Sequence, residues 1–320
     1  MLRVFNIHHG RLAQQPVAEG EVLPSLPSLA EGAWIDADEP SEEERERLEA
    51  FLRAELPESD EVEEIESSAR YFIDHSGVHI HSLFLTQVEG RHKTVTVAFI
   101  LQPERLVSVR DDDLADFRLL RLRTRAGQVE VNSPAELLVS LFDQKVENLA
   151  DQLEDIHTGL EAVSYAVLED DNAALDDAID QLAKLEDSNG KIRLCLMDTK
   201  RSVAFLMRHL REHPQWQEEC RVVMRDVDTL MSHNTFLFDK INFLMDSTQG
   251  FINIEQNKII KTFSIAAVVF LPPTLVASIY GMNFDFMPEL HWKLGYPWAL
   301  GLMVLAGLAP YVYFKRKGWL

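Results

Sequence analysis

Tyr280-Gly281-Met282-Asn283 stands at the junction that organises this 320-residue chain. It closes one apolar run and opens a short polar gap, Asn283 to Lys293, before a second run. Neither Thr262 to Met282 nor Leu294 to Phe314 contains a charged residue. Each run is about 20 residues long, enough for one helix to cross the hydrocarbon core of a bilayer. A helical hairpin buried in a soluble protein would interrupt such runs with strongly polar residues on its solvent face. The two runs therefore predict a pair of membrane spans at the end of a large soluble part.

Upstream of the first run, helical patterning continues without a break. No glycine or proline interrupts Gln215 to Gln249. A single helix from Gln215 to Tyr280 would be on the order of 100 Å long. That length predicts a stalk packed against copies of itself. Ahead of it, Ser133-Pro134-Ala135-Glu136 is a helix start with proline at the first position. Leu137, Leu141, Val146, Leu149 and Leu153 then recur at near-helical spacing to about Leu168. A second helix is expected from Ala173 to about His213, after the Glu169-Asp170-Asp171-Asn172 break.

The first 132 residues read differently. Leu2 to Asn6, Ala33 to Ile35, Val78 to Thr86, Thr94 to Leu101 and Arg105 to Val109 have strand composition. Ser41 and Glu44 fit a capping box for a helix from Glu42 to Ala54, and Glu61 to Ala69 reads as an acidic helix. His79 and His81 share one face of a strand. With no third ligand in sight they are read as packed histidines rather than a metal pair. The expected fold is an α/β cytoplasmic domain (1–132), a helical stalk region (133–261), a first span (262–282), an external loop (283–293), a second span (294–314) and a basic cytoplasmic tail (315–320).

Charge sets limits on partners. The chain carries 31 Lys/Arg and 52 Asp/Glu, net −21. Six of those bases and two of those acids lie from Lys258 onward, which leaves 25 bases against 50 acids, net −25, before it. Such a surface is unsuited to nucleic acid, which requires basic patches, and it attracts cations. Cys195 and Cys220 form no Cys-x-x-Cys pair, so neither a zinc ligand set nor a disulfide framework is indicated. Met1 to Gly10 lacks the apolar segment of a cleaved signal peptide. Lys258 and Lys261 precede the first span and Lys315-Arg316-Lys317 follow the second. The positive-inside bias then places both ends in the cytoplasm and the loop outside.

Stepping along the third helix by alternate threes and fours puts Asp246, Gly250, Asn253, Asn257, Ile260, Ser264, Ala267, Leu271, Thr274 and Ser278 on one face. Its intramembrane part is mostly small or weakly polar. Phe263, Ile265, Val268, Val269, Phe270 and Val276 lie off it. The bulky side suits lipid, and the small, polar side suits other helices or water. Two spans cannot enclose a pore, so several chains must each contribute one.

Tyr280-Gly281-Met282-Asn283, the following Met287-Pro288-Glu289-Leu290 and the Lys315-Arg316-Lys317-Gly318-Trp319-Leu320 ending together resemble the CorA family of divalent-cation channels. The resemblance implies a homopentamer in an inner (plasma) membrane, with the first span lining the pore and intracellular Mg²⁺ gating an Mg²⁺ influx that also passes Co²⁺ and Ni²⁺. It implies pore or selectivity roles for Gly281, Met282, Asn283, Thr274, Leu271, Ile260, Asn257 and Asp246. Asn283 would meet the hydrated ion, and Ile260, where other members can carry methionine, would form an apolar constriction with Leu271. Gly281 is expected to permit a tight turn at the pore mouth. Asp285 and Glu289 are positioned to gather cations in the external loop. Asp226 and Asp228 fall near the region where the family senses intracellular metal. Mg²⁺ is then both cargo and regulator, and no resident cofactor is expected.

No enzyme motif appears. Gly190-Lys191 lacks the glycine of a P-loop five residues back, and there is no Gly-x-Ser-x-Gly or His-Glu-x-x-His. Two alternatives remain open on the residues alone: a zinc transporter of the ZntB type, which shares the Gly-x-Asn signature, and a membrane-anchored sensor or scaffold that conducts nothing.

Overall fold

The computed structural model describes residues 1–16, 24, 26–54, 56, 70–169, 174–210, 214–283, 285 and 287–319. The chain divides into two compact units, Met1–Met245 and Asp246–Leu320.

The first unit is built on a seven-stranded mixed sheet. Its strands are β1 (Leu2–His8), β2 (Arg11–Gln14), β3 (Trp34–Asp38), β4 (Tyr71–Asp74), β5 (Gly77–Val88), β6 (Arg91–Leu101) and β7 (Leu106–Arg110), in the order β2-β1-β3-β7-β6-β5-β4. Only β3 and β7 pair in parallel; the other neighbours are antiparallel. These two central strands are buried along their whole length. Alternation assigns their faces. Ile35, Ala37, Val107 and Val109 pack with Leu29 of α1 (Leu26–Glu31) and Leu48 of α2 (Glu42–Leu52). Trp34 and Leu106 face the other way, toward Phe117 of α3 (Ala115–Ala126) and Phe142 of α4 (Pro134–Glu169). Helices thus cover both faces of the sheet.

The register places a buried ion network beside this second core. Trp34 pairs with Leu106, Asp36 with Ser108 and Asp38 with Arg110, so the polar side chains share the face that holds Trp34. Asp36 is fully buried. It accepts from Arg110 Nη2 at 3.1 Å, Arg121 Nη1 at 2.9 Å and Ser108 Oγ at 2.9 Å. Arg110 also lies over the Phe117 ring, 4.7 Å from its centroid. A second buried pair, Lys145 and Asp198, joins α4 to α5 (Leu175–His209). Ser82 bridges them, accepting from Lys145 Nζ at 2.9 Å and donating to Asp198 Oδ2 at 2.6 Å. Ions this deep are tolerated because they are paired and hydrogen-bonded.

Helix α6 (Pro214–Tyr280) is 67 residues long, matching the uninterrupted pattern read from the sequence. Within the first unit, α5 and α6 are registered by a buried amide pair. Asn234 donates to Asn189 Oδ1 at 2.7 Å, and Asn189 donates to the Asn234 carbonyl at 3.2 Å. In the second unit, a short 3-10 turn (Pro288–His291) leads to α7 (Gly295–Arg316).

The Ser41–Glu44 capping box is present. The expected strands all form, β1, β5 and β6 with extended ends and β3 and β7 starting one residue later and running further than expected. Three differences have physical causes. First, β2, β4, α1 and α3 form without a strong local signal: β2 and β4 are edge strands of four residues each, and α3 starts at Leu114 without a side-chain cap. Second, α4 and α5 belong to one compact unit with the sheet, because they bury their apolar faces on it. Third, the α2 helix ends at Leu52 with Arg53 in the left-handed region, short of Ala54. The acidic helix expected over 61–69 lies outside the described residues.

Candidate functional site

The expected seam lies uncovered. Within one chain Asp246, Gly250, Asn253, Asn257, Ser264, Ala267, Thr274 and Ser278 are all exposed, and the two large apolar members, Ile260 and Leu271, are 61% and 66% exposed. Cover is supplied elsewhere on α6. Ile265 is buried, and Val269, Pro272, Pro273 and Val276 are half-buried. Helix α7 meets that face at Gly307, where a Cβ would lie 3.3 Å from Pro273 Cγ and 3.6 Å from the Val269 carbonyl oxygen. Proline at 273 removes the helical donor to that same carbonyl, so the small residue on α7 sits where the backbone is least satisfied. The helix nevertheless continues through Pro272 and Pro273 to Tyr280.

Both spans remain largely uncovered, with 6% of each apolar window buried. A core helix of a soluble protein would bury most of its length. Thr274 donates its hydroxyl to the Phe270 carbonyl at 2.8 Å. That leaves its lone pairs directed outward from the seam as acceptors.

The signature residues close the helix. Gly281 N–H donates to Ala277 O at 2.9 Å and Met282 N–H to Ile279 O at 3.3 Å. Gly281 sits in the turn that ends the helix, without a left-handed backbone. Its constraint is proximity: a Cβ would approach the Ala277 carbonyl oxygen to 3.1 Å. Met282 and Asn283 follow, both exposed. Asp285 and Glu289 are exposed too. The loop returns through Trp292 N–H to Glu289 O at 3.3 Å and Gly295 N–H to Trp292 O at 2.9 Å. Gly295, which the motif reading passed over, is required by this return, because a Cβ there would overlap the Glu289 carbonyl oxygen.

The flanks of α7 carry a signal that was legible but unread. Trp292 and Trp298 lie 6.3 Å apart at its start, and Phe314 stacks on Trp319 at 5.6 Å beyond its end. Aromatic residues at both ends of an apolar helix suit the two membrane interfaces.

Asp226 and Asp228 have different neighbours. Asp228 Oδ1 receives Lys200 Nζ at 2.6 Å. Asp226 is half-buried and lies close enough to Asp143 of α4 to push that carboxyl's pKa up, though burial is the larger cause and Glu147 adds to it. Glu219 is also raised, by burial first and then by Glu136 and Asp143. The stalk helix and α4 thus share a row of mutually repelling acids that spacing within either helix did not reveal. Among the described residues, no group of three or more His, Cys, Asp or Glu side chains is arranged to hold a metal.

The two histidines are packed groups. His79 Nε2 bonds Ser76 Oγ at 2.7 Å and Asp74 Oδ1 at 3.0 Å, under the stacked Phe72 ring. His81 is 2% exposed, and neither ring nitrogen has a hydrogen-bond partner. Burial pushes its pKa down to about 4, so it is neutral near pH 7.

Comparison with known proteins bears on the whole chain. Residues 30–316 match the model of the family described as CorA-like Mg²⁺ transporter protein. The magnesium transport protein CorA of Yersinia pseudotuberculosis is 48% identical over 322 residues, covering 100% of both chains. Among solved structures, the CorA magnesium transporter from Methanocaldococcus jannaschii superposes with a TM-score of 0.73 at 17% identity, over 100% of this chain and 98% of that one. The cytoplasmic domain of ZntB from Vibrio parahaemolyticus gives a TM-score of 0.56 at 9% identity, over 78% of this chain and 97% of that domain. At such identities the two structures speak to fold alone.

Proposed function

The chain belongs to the CorA family of Mg²⁺ transporters, and from that premise we propose that it is a homopentameric channel for Mg²⁺ influx, with Co²⁺ and Ni²⁺ as further cargo. The observation that carries the reading is the continuous exposed seam on α6, from Asp246 to Ser278, on the side that α7 leaves open. Five copies of that seam facing one axis would line a pathway with Asp246, Asn257 and Thr274 as polar rings. Ile260 and Leu271 would be its apolar constrictions, able to block ions by dewetting.

The chemistry at the outer mouth suits a hydrated ion. Mg²⁺ dehydrates reluctantly. Asn283 offers a neutral carbonyl acceptor to its water shell, held just past the Gly281 and Met282 helix end. A ring of full carboxylates would bind more tightly and slow release. Asp285 and Glu289 would raise the local cation concentration. The driving force is the membrane potential, about 2.3 kcal/mol per charge per 100 mV and twice that for a divalent ion. The basic groups flanking the spans support an inner-membrane location with both ends cytoplasmic. Intracellular Mg²⁺ would close the channel by offsetting repulsion between acidic domains, with Asp226 the better-placed of the two stalk aspartates because Asp228 already has Lys200.

The ZntB-like alternative has a fold likeness behind it, whereas the full-length relative at 48% identity is a magnesium transport protein. Purified protein in liposomes with an inside-negative potential tests the reading. The expected result is Mg²⁺ uptake that exceeds Zn²⁺ uptake. Zn²⁺ flux alone would move the protein to the zinc branch, and no flux of either ion would make it a non-conducting anchor.

A further inference from the structure

Helix α3 departs from the charge of the unit that holds it. The domain before Lys258 is net −25, yet α3 carries Arg118, Arg121, Arg123 and Arg125 against one acid, the buried Asp116. Arg118, Arg121 and Arg125 recur at helical spacing and line one cleft of about 270 Å³. Its opposite wall is Phe5 of β1 and Leu12 of β2, with Leu122 at the rim, and no carboxylate lines it. Leu122 is 61% exposed.

The helix dipole accounts for part of this. Cations near a helix C-terminus are favourable, which explains Arg123 and Arg125. Arg118 lies near the N-terminal end, where a cation is disfavoured. The local ion pairs are also short of anions. Asp36, Asp38 and Asp113 are shared among Arg3, Arg110, Arg118 and Arg121, and Asp36 alone meets Arg121. Crowding by Arg3 and Arg110 adds to burial in pushing the Arg121 pKa down, against the pull of Asp36. Arg118 meets Asp113, and Arg123, outside the cleft, meets Glu147. Arg125 has no ion-pair partner among the described residues.

We propose that the cleft between α3 and the β1–β2 hairpin binds a small organic phosphate, its phosphate on the guanidinium groups of Arg118, Arg121 and Arg125 and its apolar part against Phe5, Leu12 and Leu122. Guanidinium forks match phosphate oxygens bidentately. A bare inorganic anion would use the arginines and leave the apolar wall wet, whereas a phosphate ester covers both. The volume lies just below the usual range of ligand sites, about 300 Å³ upward, so it suits a ligand no larger than a nucleoside monophosphate, partly held at the open rim. The site is separate from the ion pathway.

The test uses the full chain in detergent, with AMP as probe, in EDTA so that no metal bridges it to the acidic surface. Titration calorimetry should give saturable one-per-chain binding that weakens with added salt. Adenosine and inorganic phosphate should each bind at least about tenfold more weakly, because each lacks one half of the contact. Arg125→Gln, an exposed change that breaks no ion pair, should weaken AMP by about tenfold. Leu122→Asp should weaken it at least as much, while Arg123→Gln, outside the cleft, leaves it unchanged. Absence of saturable AMP binding to the wild type overturns the proposal. So does equal affinity in Arg125→Gln and the wild type, or a loss in Arg123→Gln as large as in Arg125→Gln, which would mark diffuse charge rather than a site.

Discussion

The two compact units handle polar groups in opposite ways. In Met1–Met245 even deeply buried charges have partners within the chain: Asp36 with Arg110 and Arg121, Lys145 with Ser82 and Asp198. In Asp246–Leu320 the seam positions of α6, from Asp246 through Asn257 and Thr274 to Ser278, are exposed. The first unit is closed by its own side chains. Under the proposed function, the second would be completed by lipid on its bulky sides and by other copies on its seam. Residues of the first unit should therefore be tested by stability, and seam residues by transport.

The largest effect is expected at the seam's outer end. Asn283→Ala should abolish Mg²⁺ uptake while melting temperature and oligomer size stay unchanged, since the side chain is exposed and the helix end is held by backbone bonds from Gly281 and Met282. Near-normal uptake in liposomes would remove Asn283 from the pathway and blur the contrast between the units.

Next is the reverse case. Arg110→Met leaves the buried Asp36 carboxylate short of its bidentate partner, and breaking a buried pair costs about 3–5 kcal/mol. Denaturant unfolding of the soluble unit in the full chain should show that loss, with no change in ion selectivity in the fraction that folds. Unchanged stability would mean that Arg3 and Arg121 hold Asp36 without it.

A pH-dependent loss comes third. His81 is neutral and buried, with its pKa lowered from 6.5 to about 4. The unfolded chain therefore takes up a proton first. Stability from this group is fully present above about pH 6.5 and falls as pH drops toward 4, by up to ~3 kcal/mol. In His81→Phe the melting temperature should lose that part of its acid dependence. An identical acid profile in variant and wild type would show that the ring is hydrated and partnered.

The smallest effect is at the stalk acids. Mg²⁺ at millimolar concentration should protect the soluble unit from protease. Asp226→Ala should raise the concentration needed by about threefold, because offsetting one partly solvated charge contributes under ~1 kcal/mol. Asp228→Ala, already offset by Lys200, should leave it where it was. Equal shifts in both variants would restore the two aspartates to a common role.

Much of this protein is determined by local pattern. Charge-free runs of about 20 residues fix the spans, because every backbone polar group in a bilayer must be satisfied within the segment. The threefold and fourfold spacing along α6 fixes which residues share a face, since helix geometry is periodic whatever surrounds it. The family signature is contiguous and so is legible without a fold. Tertiary structure decided the rest. The β3–β7 register, which brings Asp36 to Ser108 and Arg110 from 72 and 74 residues away, depends on a parallel crossing that no local pattern encodes. The same is true of the Asn189–Asn234 amide pair and the acids shared between α4 and α6. The cleft behind α3 required a helix without an N-terminal side-chain cap and a four-residue edge strand to meet. Periodicity tells a residue which way to face along its own element; only packing decides what stands opposite.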